Sequence, residues 1–395
     1  MKSDQVQLSD VCNLIAGFAF KSKHFGNYKN KVIKIANITP PTVSMNNLVG
    51  VNLSQYNSSK LGRFVAHTGD YVLAMTGATI GKIGRIESGD AYINQRVLLF
   101  RSKEDKIDKD FLYYTLQQYE FEQYVLGHID SESAQPNISA GTIGKYQFHL
   151  PCMDSQIGIG RFLRMLDEKI ELNRKINDNL EQQARTLLVQ WMMENEGNYK
   201  VFSLTDVAEI NPDTYSPKNA WEYVNYLDTS SIIDGIISEV QYINPSTEKL
   251  PSRARRIISA NDVVFSTVRP NQRHYGIICE PVSHMLASTG FAVVRSKHPY
   301  VSNELLYLCL TENSFVEKMQ QLAEQSTSTF PSIKPSDLSS CEIPCPIDQC
   351  LSDALKAMFM CIYSTQRENA SLAALRNALL PKLMSGEIDV FAIQL

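Results

Sequence analysis

The stretch Asp167–Met192, DEKIELNRKINDNLEQQARTLLVQWM, decides how the rest of this chain is read. In and around it, Ile159, Leu163, Leu166, Ile170, Asn173, Asn177, Leu180, Ala184, Leu187 and Trp191 follow at alternating steps of four and three. That is a heptad seam, and Glu168, Lys169, Glu171, Arg174, Lys175, Asp178 and Glu181 fill the other faces. At ~1.5 Å per residue, the run from Asp154 to about Met193 predicts a rod of roughly 60 Å. A lone helix cannot bury such a stripe, so the seam requires a partner. Reading 192 residues further on supplies one: Leu351, Leu355, Met358, Ile362, Thr365, Asn369, Leu372, Arg376, Leu379 and Leu383. The polar positions Asn173 and Asn177 recur as Thr365 and Asn369. Polar seam residues cost stability and fix register, so the pattern predicts an intramolecular helix pair held in one alignment. Pro381 is expected to end or kink the second helix near Leu380, with Gly386 following as a stop signal.

The repeat extends beyond the helices. LSDV at Leu8 recurs as LTDV at Leu204, and HTGDYVLAMTG from His67 aligns with SANDVVFSTVR from Ser259, placing Asp70 on Asp262. QPNIS from Gln135 matches FPSIK from Phe330, and LPCMDSQ from Leu150 matches IPCPIDQ from Ile343. The plan is globular part, helix, globular part, helix, with expected boundaries 1–152, 153–197, 198–345 and 346–395. VIKIANI (Val32–Ile38), YVLAM (Tyr71–Met75) and YINQRVLLF (Tyr92–Phe100) read as strands, as do YVNYL, DVVFSTV and GFAVVRS in the second half. Asp108–Gly127 and Ser302–Ala323 read as single amphipathic helices capped by Asp108 and Ser302. Clustered strands that do not alternate regularly with helices predict an α+β class.

Composition bounds the function. At 395 residues and 44% hydrophobic content the chain can bury two or three cores. No apolar run approaches a bilayer span, and the N-terminus lacks a signal-like apolar core, so a cytoplasmic protein with no membrane contact is expected. The eight cysteines include no C-x-x-C pair and predict reduced thiols rather than a metal site. Net charge is -4, yet Val11–Ile86 holds nine basic residues against Asp70 alone. Lys249–Ile278 holds Lys249, Arg253, Arg255, Arg256, Arg269 and Arg273 against Asp262 alone. Two acid-poor stretches imply local positive fields and an anionic partner.

Motifs for catalysis are missing. GATIGKIG (Gly77–Gly84) has the wrong glycine spacing for a phosphate loop and Ile83 where a hydroxyl would meet Mg²⁺. No G-x-G-x-x-G follows a strand, no H-E-x-x-H or G-x-S-x-G occurs, and the one Pro-Pro pair, Pro40-Pro41, lacks the Asn or Asp that amino-methyltransferases place before it. Recognition chemistry remains: Lys and Arg neutralise phosphates, hydroxyls donate to them, and Arg, Asn and Gln read base edges. The candidate DNA contacts are Lys21, Lys23, Thr76, Thr79, Lys82, Arg85, Gln95 and Arg96 in the first half. In the second they are Arg253, Arg255, Arg256, Arg269, Asn271, Gln272 and Arg273. A self-sufficient nuclease or methyltransferase with a diverged site is the alternative; a purely structural coiled coil leaves the basic stretches unexplained.

AGFAFKS, AMTGATIGKIGR, INQRV, SAQPNIS, the central helix, VVFSTVRP, ASTGFAVVR and LRNALLPKLMSGEIDV stand in this order over nearly all of the chain. Together they resemble the DNA-specificity subunit of type I restriction-modification systems. The resemblance implies two tandem target recognition domains, each reading one part of a bipartite, asymmetric site. It also implies that the two helices pair as an antiparallel coiled coil, which spaces the domains and docks two modification (methyltransferase) subunits. The chain would bind double-stranded DNA and no cofactor of its own. S-adenosylmethionine, ATP and Mg would belong to the modification and restriction subunits. IPCPIDQCLSDAL departs from the pattern, lacking a Glu-Gln pair common at that place, which implies unequal docking at the two ends.

Overall fold

In the computed structural model, residues 4–57, 60–130, 136–219, 221–326 and 330–393 are described. The chain divides into two compact units, Met1–Glu171 with Asn369–Leu395, and Leu172–Glu368. The division falls inside the two long helices, Met153–Glu194 and Cys350–Met384, so each unit contains a globular part and a segment of both helices.

The first unit is built on an antiparallel sheet of Cys12–Ala16, Val97–Ser102, Tyr71–Ala74 and Ile83–Arg85, extended by Thr42–Val43 and Ile38–Thr39. A second sheet places Phe25–Ile33 parallel to Ala91–Ile93, with Val49–Val51 and Val65–Ala66 at its edges. The strand Tyr71–Ala74 is wholly buried because it faces both layers: Tyr71 and Leu73 join the core with the helices, Val72 and Ala74 the core between the sheets. The second unit repeats this plan. Ala208–Ile210, Phe291–Ser296, Asp262–Ser266 and Tyr275–Ile278 form one sheet. Gln241–Ile243, Val224–Leu227, Met285–Ser288 and Ala254–Ile257 form the other, again with one parallel pair. The mixed α+β class expected from the sequence is the class found.

The short repeated helices Leu8–Val11 and Leu204–Val207 start alike. Asp10 accepts from the Gln7 N–H and Asp206 from the Ser203 N–H, each at 3.0 Å. Several expected elements are shorter. VIKIANI is strand to Ile33 and again from Ile38, because Asn37 Oδ1 takes the Lys34 N–H at 2.9 Å and opens a turn between them. YINQRVLLF is two strands in different sheets, joined by a turn at 94–96. Each single helix expected after the sheets is two: Lys109–Leu116 and Tyr119–Gly127, then Asn303–Leu310 and Asn313–Glu324. The breaks are equivalent. Thr115 and Thr311 each donate a hydroxyl to the carbonyl four residues back, and Gln118, three residues on, and Glu312, the very next residue, adopt extended cap geometry. The caps foreseen at Asp108 and Ser302 are present, accepting from Phe111 N–H (2.9 Å) and Leu305 N–H (3.2 Å).

Within each unit the two helices pair antiparallel. In the first, Ile159, Leu163 and Leu166 share a core with Leu379 and Leu383, and Arg376 Nη1 meets Asp167 at 2.5 Å. In the second, Ala184, Leu187 and Leu180 share a core with Leu351, Leu355, Met358 and Ile362. The polar seam residues are engaged there: Asn173 Nδ2 donates to Glu368 at 2.7 Å and Thr365 donates to Asn177. Ile170, Asn369 and Leu372 are buried or half-buried at their seam positions. Each fully buried leucine of the seam, such as Leu163 or Leu355, contributes about 1.5–3 kcal/mol. Pro381 does not end its helix, which runs on to Met384. Proline removes one N–H but does not prevent the residues after it from bonding backward, and the Ser385 N–H reaches the Pro381 carbonyl at 3.0 Å. Gly386, at φ +75°, ends the helix as expected. Among the described residues no helix is long and apolar enough to cross a membrane.

Candidate DNA interface

Both globular parts build the same loop. In the first, Tyr71–Ala74 passes through 75–82 into Ile83–Arg85; in the second, Asp262–Ser266 passes through 267–274 into Tyr275–Ile278. The hydrogen bonds that close and clamp the two loops match. Ala74 N–H meets the Lys82 carbonyl at 3.0 Å, and Ser266 N–H meets His274 at 2.9 Å. Gly77 N–H donates to Pro136 (3.2 Å) and Ile138 N–H to Met75 (3.0 Å); Arg269 N–H donates to Pro331 and Ile333 N–H to Thr267, both at 2.9 Å. The repeated Pro-x-Ile segments are therefore clamps on the two loops. A second turn closes each site: Met75 N–H binds the Arg96 carbonyl at 2.9 Å, and Thr267 N–H the Gly290 carbonyl at 2.8 Å.

In the first unit three candidate segments converge. Phe18 bridges to Asn94, and Gly17 is required at that crossing because a Cβ would lie 2.1 Å from the Asn94 carbonyl oxygen. Lys21 and Lys23 follow as exposed residues at the turn Ser22–His24, and Gln95 and Arg96 are exposed on the neighbouring turn. Arg96 Nη1 also donates to Asn137 Oδ1 at 3.3 Å, joining the turn to the clamp. Lys82 is exposed and Thr79 half-exposed on the loop itself. Two candidates turn inward. Thr76 is 5% exposed and its hydroxyl donates to the Pro136 carbonyl at 2.8 Å, so it anchors the loop from beneath. Arg85 lies on a strand with its guanidinium 6.0 Å over the Tyr71 ring and its Nε buried.

In the second unit Asn271, Gln272 and Arg273 are exposed on the loop and Arg269 is half-exposed beside them. Arg253 is exposed and joined to the site through its carbonyl, which accepts from the Thr289 N–H at 2.8 Å. Arg255 and Arg256 are half-buried in the strand Ala254–Ile257. Burial lowers the Arg256 pKa from its usual value, and its Nε has no acceptor among the described residues.

The lone acid of each basic stretch is withdrawn from the surface. Asp70 accepts from the His67 N–H at 2.9 Å and faces Arg101 (3.5 Å) and Lys109 (3.8 Å). Asp262 is fully buried, accepts from the Ser259 N–H at 2.7 Å and receives Arg295 Nε and Nη2 at 2.7 and 2.8 Å. Hydrogen bonding to Asp262 holds the Arg295 pKa above its usual value, even against burial. The acid within each stretch is thus withdrawn from the basic surface; in the second, Asp234 from outside the stretch lies 3.7 Å from Arg273.

Each recognition part is fastened to its own helix segment. Tyr114 donates to Asp167 at 2.6 Å in the first unit; Arg185 reaches Thr311 Oγ1 at 2.8 Å in the second. Gln156, 2% exposed, accepts the Asp108 N–H at 2.9 Å and donates to the Pro151 carbonyl at 2.8 Å. Ser352 takes its place in the second unit, accepting the Ser302 N–H at 3.2 Å and donating to Tyr300 at 2.7 Å. Sequence reading passed over the roles of Gln156, Ser352, Asn137, Asn313 and Phe330; the repeat places Gln156 on Gln349, and only the hydrogen bonds pair it with Ser352.

Residues 2–182 match the family described as Type I restriction modification DNA specificity domain. The specificity subunit of the type I restriction enzyme HindI of Haemophilus influenzae is 26% identical over 149 residues, 38% of this chain and 32% of that protein. The chain thus spans about a third of that relative's length. The MjaIX specificity subunit of Methanocaldococcus jannaschii is 23% identical over 318 residues, 73% of this chain and 71% of that protein. In fold, the chain is similar to the crystal structure of a type I restriction-modification S subunit from M. genitalium. That likeness has a TM-score of 0.54 at 14% identity and covers 97% of this chain and 96% of the other. The loop in 75–82 lies inside the matched residues, and its duplicate in 267–274 lies outside them.

Proposed function

We propose that this chain is the sequence-specific DNA-binding subunit of a type I restriction-modification enzyme and performs no chemistry itself. The observation that carries the reading is the duplicated, clamped loop with its counter-charge buried, present once in each unit with different side chains. Equal scaffolds with unequal loops suit a site of two different words, not a palindrome. Phosphate contacts from Lys21, Lys23, Lys82 and Arg253 would position the duplex, and Gln95, Arg96, Arg269, Asn271 and Gln272 would read base edges. The helix pair would set an unread gap of fixed length and offer docking faces to two modification subunits and to restriction subunits. Those partners would bring S-adenosylmethionine, ATP and Mg, along with adenine methylation and cleavage. A cytoplasmic location follows from that role.

Mapping of methylated adenine across host DNA, with and without this chain and with the partner genes held constant, tests the proposal. The expected result is loss of one two-part motif with a fixed gap. Unchanged methylation together with no sequence-selective binding by the reconstituted complex would overturn it.

A further inference from the structure

Two arginines in the second loop occupy backbone conformations that suit glycine. Arg269 lies at φ +48° and Arg273 at φ +58°. The equivalent positions in the first loop, 192 residues earlier, are Gly77 at φ +77° and Gly81 at φ +83°. Space does not demand glycine there: a Cβ would meet Ile35 Cδ1 at 4.0 Å or Val125 Cγ1 at 3.4 Å, both ordinary contacts. The backbone demands it, and the second loop carries strain that the first avoids. Strain retained on a binding loop points to what the side chain does there.

The two arginines have different surroundings. Arg273 Nη2 donates to Asn313 Oδ1 at 2.9 Å and its Nη1 lies 3.7 Å from Asp234, so its fork is engaged within the protein. The Arg269 guanidinium instead lies 5.0 Å over the ring of Phe330, and it forms no side-chain hydrogen bond or ion pair among the described residues. A ring face orients the guanidinium plane while leaving its N–H donors available. Phe330 is 55% exposed, which keeps the pair at the surface. Backbone bonds couple the two positions, from Gln272 N–H to the Arg269 carbonyl (2.9 Å) and from Arg273 N–H to the Pro270 carbonyl (3.1 Å).

We infer that Arg269 reads a guanine in the second half-site through O6 and N7, and that Arg273, held by Asn313, positions it. This deepens the specificity role proposed above and rests on it. The planar fork with available donors is the group that matches the major-groove edge of guanine, whereas a phosphate contact needs no fixed plane.

The test is methylation by the complete reconstituted complex of a duplex library in which each base pair of the second word is varied in turn. Arg269→Gly suits the loop backbone, so the fold is retained. The expected outcome is that discrimination at one G·C pair falls roughly ten- to a hundredfold, with the first word unchanged. Asn313→Ala is expected to erode preference at that same pair by a smaller factor, whereas a purely structural role would lower all positions together. Uniform loss across the library with a shallower salt dependence would reassign Arg269 to phosphate and overturn the inference, as would an unchanged word. If the wild-type complex in the same assay selects no two-part word, the specificity role itself fails, a result visible without the variant.

Discussion

The two recognition loops have the same clamping hydrogen bonds and opposite solutions to the same backbone problem. The first puts glycine at both left-handed positions and presents its chemistry from Lys82 and from the neighbouring turns; the second puts arginine at both. The carboxylates beneath them differ in the reverse sense. Asp262 is fully buried and held by a bidentate Arg295, whereas Asp70 meets Arg101 at 3.5 Å with a third of that arginine exposed. A strained loop therefore stands on the tighter anchor. Variation in what is read is confined to side chains and local strain, and the scaffold below holds constant.

The anchors give the largest expected effect. Asp262→Ala leaves Arg295 with only Asp213 and removes the cap on Ser259, so the second unit should lose about 3–5 kcal/mol. Asp70→Ala should cost the first unit about 1 kcal/mol, since its pair is long and partly solvated. Hydrogen exchange followed separately in the two units measures both; equal losses would mean that the geometric asymmetry has no energetic counterpart.

Next is the seam. Ile170 is 7% exposed, and Ile170→Asp should destabilise the helix pair by about 3 kcal/mol and disturb assembly with partner subunits. Denaturant unfolding and size analysis of the complex would read this, and an unaffected complex would refute the pairing. The loops themselves come third. Gly77→Arg should cost about 1–2 kcal/mol and Arg269→Gly should recover a similar amount, as seen in thermal melts. If both changes are neutral, the left-handed geometry is not a real constraint. The smallest effect belongs to the polar seam: Asn177→Leu with Thr365→Leu should change stability by about 1 kcal/mol or less while loosening register, detectable by cysteine cross-linking along the helices.

The helices were legible because a heptad seam is a long, redundant signal and its repetition 192 residues on names the partner. Strands such as Tyr71–Ala74 and Asp262–Ser266, and the caps at Asp108 and Ser302, were legible because local sequence carries them. The helix breaks at Gln118 and Glu312 were not, since the apolar period continues across both while a threonine hydroxyl at each, joined by a side-chain cap at Glu312 alone, decides locally against it. The candidate surface was read as a set of basic, hydroxyl and amide residues, and its sorting needed the fold. Thr76, Arg85 and Arg256 have the same composition signal as Lys82 or Arg269, yet they face inward or lie half-buried in strands.

By itself, then, the amino-acid order determined the duplicated plan, the helix pair and its register, and the family model that residues 2–182 match. The tertiary structure alone decided that the Pro-x-Ile segments clamp the loops, that Ser352 stands in for Gln156, and that Arg269 and Arg273 occupy glycine conformations. The physical reason is range. Periodicity and caps are set by neighbours a few residues apart, whereas clamps, buried counter-charges and the orientation of a guanidinium depend on groups that only chain closure brings together.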